Sequence, residues 1–347
     1  MTFTKIAGNE PTFLTKDASY PAFTFFFRIH AGSEKQIHDA ARLRSCCHET
    51  IKDAGLELSL CERLQDSADR LIDALESKSG AKSVGLFISQ NTAHSDLYYV
   101  NVAERQYTGE FFSGYESLYA MQESHPYLLF LLEPTTVTVF TGQGTHLKTL
   151  PQSDSLNHLI AVCKRRSPVH ADKDGKVRPG HEYDPKWKIE LAEALSAVCA
   201  YERLPAFIVG LSMAGFDELF LQAQNMRILG TVKDVHRSSD FDRLETLVEQ
   251  LLQRSAEQKA QELANLCSTA SGAQKLACGL DEMLSCAKEG RADVLVIESP
   301  GWNTDAKIEL SSLHQTIRET LMKHGKVEFV PPGTLAQFQG AAMILRY

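Results

Sequence analysis

The chain has 347 residues, of which 43% are hydrophobic and 23% are charged, and its formal net charge is −8. This composition is typical of globular proteins, and the length predicts two or three domains. No run approaches the roughly 18 apolar residues that cross a bilayer, and the polar N-terminus lacks the apolar segment of a signal peptide. We therefore expect a cytoplasmic protein without membrane contacts.

The cysteine pattern argues against a metal centre. No Cys-x-x-Cys spacing occurs, and most of the cysteines fall within apolar helical patterns, where a thiol behaves as a small hydrophobic group. The adjacent pair Cys46 and Cys47, followed by His48, has no second ligand cluster at zinc spacing. We predict structural thiols, no metal and no cofactor.

Residues 1–124 are predicted to form an N-terminal α/β domain. Ser33 with Gln36 has capping-box spacing and opens a helix that ends at Gly55. A second capping box begins at Ser59 and opens another amphipathic helix. Strand patterns follow at residues 84–89 and 97–102.

Residues 125–236 are predicted to form a second domain that begins with a hairpin. Its strands cover residues 127–132 and 137–141, and Gly142-Gln143-Gly144 turns the chain into a third strand. A long loop over residues 151–184 leads to a helix with Asp184 as N-cap and Pro185 in its first turn. The continuous apolar run at residues 206–211 indicates a buried parallel strand.

Residues 237–347 are predicted to form a third domain of alternating helices and strands. A long helix follows Ser239, and a helix over residues 280–289 ends at Gly290. The predicted strands cover residues 294–298, 327–330 and 341–345. The alternation predicts a mixed α/β (α+β) fold class for the chain.

Basic residues are concentrated in the predicted loop and its flanks. Residues 157–188 contain eight Lys or Arg and four Asp or Glu, a formal charge of +4 on a protein of net charge −8. An uneven charge distribution of this kind indicates a polyanionic partner. The candidate contacts to such a partner are Lys164, Arg165, Arg166, Lys173, Lys176 and Arg178, and RNA contact is what the resemblance described next implies for them.

From Tyr127 onward, the order of elements resembles a known superfamily. The matching parts are the hairpin YLLFLLEPTTVTVFTG, a long loop, the helix KWKIELAEALSAV, the segment FIVGLSMAGFDEL, a long helix and the block at residues 279–296. This arrangement resembles the archaeo-eukaryotic class-1 peptide-chain release factors and Pelota, and in particular their bacterial branch. The resemblance implies an RNase H-like middle domain and a C-terminal α/β sandwich related to kink-turn RNA-binding proteins. It also implies the ribosome or tRNA as partner, a translational GTPase as a further partner, and no DNA.

The chain departs from that superfamily at its functional motifs. The loop over residues 151–184 contains no Gly-Gly-Gln, and Gly142-Gln143-Gly144 lies in a strand turn instead. The Asn-Ile-Lys-Ser and Tyr-x-Cys-x-x-x-Phe strings that read stop codons are also absent. We therefore expect a binding protein used in rescue, recycling or dormancy, without peptidyl-tRNA hydrolysis by the family mechanism.

Two other functions stay open. An ester hydrolase acting on peptidyl-tRNA or another substrate would use the loop histidines His170 and His181, or Ser212, which follows a strand as a nucleophile elbow would. Alternatively, the chain is a scaffold whose C-terminal domain docks a translational GTPase. Enzyme activity is thus undecided, and a protein that is not an enzyme is favoured.

Overall fold

The computed structural model describes residues 14, 19–30, 33–75, 80–133, 136–165, 185–210, 226–232, 241–299 and 307–347. Its contacts divide the chain into two compact units, Met1–Ser124 with Ala256–Tyr347, and His125–Ser255. Three sheets are present, and the predicted mixed α/β class is confirmed. The division into three domains stays a prediction. Among the described residues, no helix combines the length and the apolar character needed to cross a bilayer.

The first unit contains an antiparallel sheet near the N-terminus. Its strand order is β3-β2-β1-β4, with Phe25 of the central strand opposite Leu86 on one side and Gln106 on the other. The strands are β1 (Ala22–Arg28), β2 (Ser83–Ile88), β3 (Ala93–Tyr98) and β4 (Arg105–Gly109). Neither β1 nor β4 is predicted from the sequence.

Both faces of this sheet are covered by helices or loops. Since side chains alternate along a strand, β1 contributes to the core on each face. Phe23, Phe25 and Phe27 point to one face, where they pack under helices α1 (Ser33–Asp53) and α2 (Leu58–Asp73). Phe26 points to the other face and packs with Phe87, Phe112 and helix α3 (Tyr115–Glu123). The strand therefore has an aromatic core on each side.

The start of α2 differs from the predicted capping box. The helix begins at Leu58, and Glu57 occupies the N-cap position without a side-chain capping bond. The Ser59 hydroxyl instead donates to the Glu57 carboxylate at 3.1 Å. The prediction of Ser59 as N-cap is thus wrong by two positions, because the serine side chain is used within the first turn.

The first unit also contains a C-terminal three-layer sandwich. Its sheet has the order β10-β13-β11-β12, in which β11 and β12 are parallel and β13 is antiparallel to β11. Residues 256–272 of α6 pack on one face, and α7 and α8 pack on the other. The elements are α6 (Phe241–Gly272), β10 (Leu276–Ala277), α7 (Leu280–Lys288), β11 (Ala292–Glu298), α8 (Lys307–Met322), β12 (Lys326–Val330), a 3₁₀ turn (Ala336–Phe338) and β13 (Ala341–Leu345).

The second unit is built on a five-stranded mixed sheet of order β7-β6-β5-β8-β9. The first three strands form an antiparallel meander, and β8 and β9 run parallel to β5. This topology is the arrangement expected of an RNase H-like domain. Its elements are β5 (Tyr127–Leu132), β6 (Val137–Gln143), β7 (His146–Thr149), α4 (Asp154–Lys164), α5 (Pro185–Glu202), β8 (Ala206–Gly210) and β9 (Ile228–Val232).

Helices cover both faces of the second sheet. Helices α4 and α5 pack on one face around Phe130, Leu159 and Leu195. Residues 244–251 of α6 pack on the other face with Leu129 and Phe207. At the end of β8, Gly210 has φ +133°, and a Cβ there would lie 2.0 Å from the Leu132 oxygen, so the β5–β8 pair requires glycine at this position.

Candidate functional site

The candidate site is the C-terminal end of α4, and local sequence determines where that helix lies. The Ser153 hydroxyl accepts the Leu156 N–H at 3.3 Å, which caps the helix, and Asp154 in the first turn complements the helix dipole. Leu156, Leu159 and Val162 are buried against the sheet. The charged end of the helix is thereby held at a fixed position on the second unit.

Helix α5 contacts the C-terminal end of α4 at this site. The indole N–H of Trp187, in the first turn of α5, donates to the Val162 oxygen of α4 at 3.1 Å. The Arg165 guanidinium lies 3.5 Å from the Glu190 carboxylate. Residue 165 and residue 185 are therefore held together at one end of an α4–α5 pair that is itself packed on the sheet.

Two of the six predicted RNA-contacting residues belong to the described part. The side chains of Lys164 and Arg165 are exposed at the C-terminal end of α4. Because the Arg165–Glu190 pair is about half exposed (57% and 49%), it contributes at most about 1 kcal/mol, and the guanidinium can exchange this partner for a phosphate. The other four, Arg166, Lys173, Lys176 and Arg178, lie outside the described residues.

The residues of the hydrolase alternative lie outside the described part of the chain as well. They are His170, His181 and Ser212. The alternative therefore stays a prediction.

The predicted loop over residues 151–184 is shorter in the structure. Residues 154–164 form α4, which lies inside that range. The cap at Ser153 and the apolar spacing of Leu156, Leu159 and Val162 are the sequence signals for this helix. The basic residues Lys164 and Arg165 thus stand on a packed helix.

No described carboxylate cluster supports metal-dependent nuclease chemistry. Glu133, at the end of β5, accepts a hydrogen bond from the Thr136 hydroxyl at 2.7 Å. Within the described ranges, no group of three or more His, Cys, Asp or Glu side chains is placed to hold a metal ion.

The described cysteines fit a structural role. Cys47, Cys61, Cys163, Cys199, Cys267 and Cys286 are buried, whereas Cys46 is half-buried and Cys278 is exposed. Burial raises the pKa of Cys199 to about 12 and that of Cys267 to about 11. These two thiols stay protonated at neutral pH, which disfavours a nucleophilic role.

A buried polar cluster in the first unit has no counterpart in the sequence analysis. The Tyr107 hydroxyl donates to Glu116 at 2.6 Å, and the Arg105 guanidinium lies 3.6 Å from the same carboxylate. Ser113 lies 3.4 Å from both Glu116 and the Nε2 atom of His314. His314 belongs to α8, so the cluster joins residues that are about 200 positions apart in sequence.

The protonation states of this cluster follow from its burial. Desolvation raises the pKa of Glu116 and Tyr107, since each charged form is disfavoured away from water. Burial, together with the charge of Arg105, lowers the pKa of His314 to about 4. Glu116 and His314 are only 3% and 7% exposed, so we assign the cluster to stability rather than to catalysis.

A groove of about 610 Å³ lies along α2, beside Ser89 and Gln90. Its charged lining mixes both signs, with two arginines and three aspartates: Arg63, Arg70, Asp66, Asp69 and Asp73. Asp69 and Asp73 are also paired with Arg44. Because aspartates outnumber arginines in this lining, the groove does not favour a polyanion, unlike the basic end of α4.

Sequence comparisons identify no relative: no family model matches the chain, and no curated protein matches it. Among solved structures, the chain is similar to archaeal Pelota in a ribosome-bound model with ABCE1 (10% identity, TM-score 0.44, 77% of this chain and 82% of that chain). It is also similar to S. cerevisiae Dom34, a translation termination-like factor interacting with Hbs1 (11% identity, TM-score 0.44, 76% and 79%). A third structure is the archaeal translation termination factor aRF1 (13% identity, TM-score 0.26, 96% and 95%). Similarity at this level does not establish a shared activity.

Proposed function

We propose that this chain is a release-factor-like protein of the bacterial branch that lacks the hydrolytic Gly-Gly-Gln. It would bind the ribosome or tRNA in rescue, recycling or dormancy. The observation that carries the proposal is the exposed pair Lys164 and Arg165 at the packed end of α4. In the sequence, Arg166 follows this pair directly, and Lys173, Lys176 and Arg178 come shortly after it.

The chemistry of this surface suits RNA phosphates. Lysine and arginine side chains neutralise phosphates and release counterions, which gives affinity that depends on salt and not on sequence. The α4–α5 pair, packed on the five-stranded sheet, holds the two cations next to the interval 166–184. A cationic site on such a support is suited to entering a groove lined by phosphates.

Co-sedimentation with ribosomes at low salt tests the proposal. We expect the wild-type protein to sediment with ribosomes and the triple variant Lys164→Ala/Arg165→Ala/Arg166→Ala to sediment several-fold less. A wild-type protein that stays in the supernatant would rule the proposal out. Incubation with peptidyl-tRNA in the same assay separates binding from hydrolysis, because a binding protein leaves the ester intact.

A translational GTPase as partner forms part of the same proposal. The C-terminal sandwich would carry that contact, as the superfamily resemblance implies. A pull-down with the segment 166–184 replaced by a short Gly-Ser linker distinguishes the two contacts. GTPase docking should survive this replacement, whereas ribosome binding should weaken, because Arg166, Lys173, Lys176 and Arg178 are removed.

A further inference from the structure

The outer edge of the C-terminal sheet is occupied by a side chain from the N-terminal part of the chain. Strand β12 is the last strand of the order β10-β13-β11-β12, so it pairs with β11 on one side only. The Gln122 amide donates to the Phe329 oxygen at 2.8 Å and accepts the Phe329 N–H at 2.8 Å. One side chain thus satisfies both outward-facing polar groups of Phe329.

These two bonds reproduce those that an added strand would make. In a parallel pair, the N–H and C=O of one residue face the same side, and successive residues alternate. The Val330 oxygen faces inward, where it accepts the Ser299 N–H at 2.8 Å, and Phe329 therefore faces outward. A primary amide has the same donor and acceptor as a peptide group, so Gln122 can take the place of one residue of a neighbouring strand.

Aromatic packing holds the helix that carries Gln122 against this edge. The rings of Tyr119 and Tyr115, about one and two turns before Gln122 in α3, meet the Phe329 ring edge-on. Their centroids lie 5.8 Å and 5.2 Å from that of Phe329, at interplanar angles of 75° and 87°. Such contacts add to the free energy gained from burial alone.

A second group of contacts lies nearby on α8. The His314 ring meets the Tyr107 ring edge-on at 4.7 Å, and the Arg318 guanidinium lies 5.4 Å from the centre of the Phe111 ring. Residues 105–122 therefore contact both β12 and α8. These contacts join residues 105–122 to the C-terminal sandwich, within one compact unit.

We infer that α3 is an intramolecular cap on the β12 edge, with Gln122 acting as a surrogate for an added strand. Unprotected edge strands are templates for pairing with other chains, and proteins commonly cover them. While α3 is seated, an extended segment of another protein cannot add to this edge. A partner that binds the C-terminal sandwich by strand addition must first displace residues 115–122.

Hydrogen exchange of the full-length protein tests the cap, with Gln122→Met as the main variant. Methionine keeps the length and packing of the side chain and removes both hydrogen bonds. We expect the Phe329 amide and the segment 326–330 to exchange at least about tenfold faster, because the amide loses its acceptor and the cap loses its hold on the edge. Exchange in strand β5 should stay unchanged, which would show that the chain remains folded.

The matched control is Gln65→Met. Gln65 is also a helical glutamine, and its amide donates to the His48 oxygen at 3.2 Å, within the α1–α2 pair. This variant should leave residues 326–330 unchanged. A second variant, Tyr119→Leu, removes one ring from the cap and should also speed their exchange. Unchanged exchange at 326–330 in both cap variants, or equal acceleration by Gln65→Met, would overturn the inference.

Discussion

The ring of Tyr127 lies directly over Gly142, its register partner across the β5–β6 pair. A Cβ atom on Gly142 would be 2.2 Å from the ring carbon Cζ, and the Tyr127 hydroxyl donates to the Gly144 oxygen at 2.7 Å. The glycine therefore provides the space in which the tyrosine closes the β6–β7 turn. The sequence predicts a turn at Gly142 and Gly144, and the structure separates their roles: Gly142 makes room for the ring, and Gly144 accepts its hydroxyl.

We predict that Gly142→Ala lowers the free energy of unfolding of the second unit by about 2–4 kcal/mol. The added methyl group must displace the buried Tyr127 ring and break its hydrogen bond. Urea denaturation followed by circular dichroism measures the change. Gly230→Ala, in β9 of the same sheet, is the matched control, because its Cβ would meet Phe207 at an ordinary 3.6 Å. Equal losses in the two variants would contradict this account of Gly142.

Salt dependence should reveal how many phosphates the α4 end contacts. For Lys164→Ala/Arg165→Ala, we expect weaker RNA affinity at all sequences and a log–log salt slope that is less steep by about 1–2. Filter binding or fluorescence anisotropy over a salt series measures both. The control Arg227→Ala/Arg254→Ala removes two exposed cations from elsewhere in the second unit. An identical slope change in this control would mean that net charge, and not the α4 end, governs binding.

The buried histidine predicts that stability falls in acid. The pKa of His314 is about 4 in the folded protein, below its ordinary 6.5, so the folded state binds the proton more weakly than the unfolded state. Its contribution to stability is complete above pH 6.5 and is lost as the pH falls toward 4, by about 2–3 kcal/mol in total. The raised pKa of Glu116 acts in the opposite direction over the acidic range.

His314→Gln isolates the histidine from this background, because glutamine does not titrate. Relative to this variant, the wild-type protein should lose about 2 kcal/mol of unfolding free energy between about pH 7.5 and about pH 4.5. Urea denaturation at the two pH values gives the comparison. His38→Gln removes an exposed histidine of the same unit and should retain the wild-type dependence. Parallel pH profiles for wild type and His314→Gln would contradict the prediction.

The Trp187–Val162 hydrogen bond should be measurable on its own. Trp187→Phe keeps an aromatic ring in the core and removes the indole N–H, which leaves the Val162 oxygen without its donor. We expect a loss of about 1–2 kcal/mol in the free energy of unfolding. Urea denaturation by circular dichroism measures it, and Trp187→Leu should cost more because the ring is lost as well. A fully stable Trp187→Phe protein would show that the bond is dispensable.

Several elements could be predicted because local signals and tertiary packing agree. The helix α7 ends before Gly290, which has φ +74°, and the apolar run beginning at Val294 forms the centre of β11. The hairpin β5–β6 follows its two apolar runs in the same way. At these positions the local residue pattern predicts the same conformation that the tertiary structure requires.

Other features could not be read from one sequence. Helix α3 buries Glu116 and Ser117, so a pattern of apolar positions does not reveal its inner face. The contact between Gln122 and Phe329 joins residues 207 positions apart, and no local signal encodes it. By contrast, the phenylalanine-rich run AFTFFFR of β1 is itself typical of a strand.

The Trp187–Val162 bond also bears on how this protein can change. The interval 166–184 is flanked by α4 and α5, which are packed together on the sheet. A change in the number of residues in this interval should therefore leave the packing of the sheet unchanged. Each doubling of a closed segment costs only about 0.6 kcal/mol in chain entropy. Insertions, deletions and grafted sequences should therefore be tolerated there. The α4–α5 pair can accept different sequences between residues 165 and 185 while its packing on the sheet stays intact.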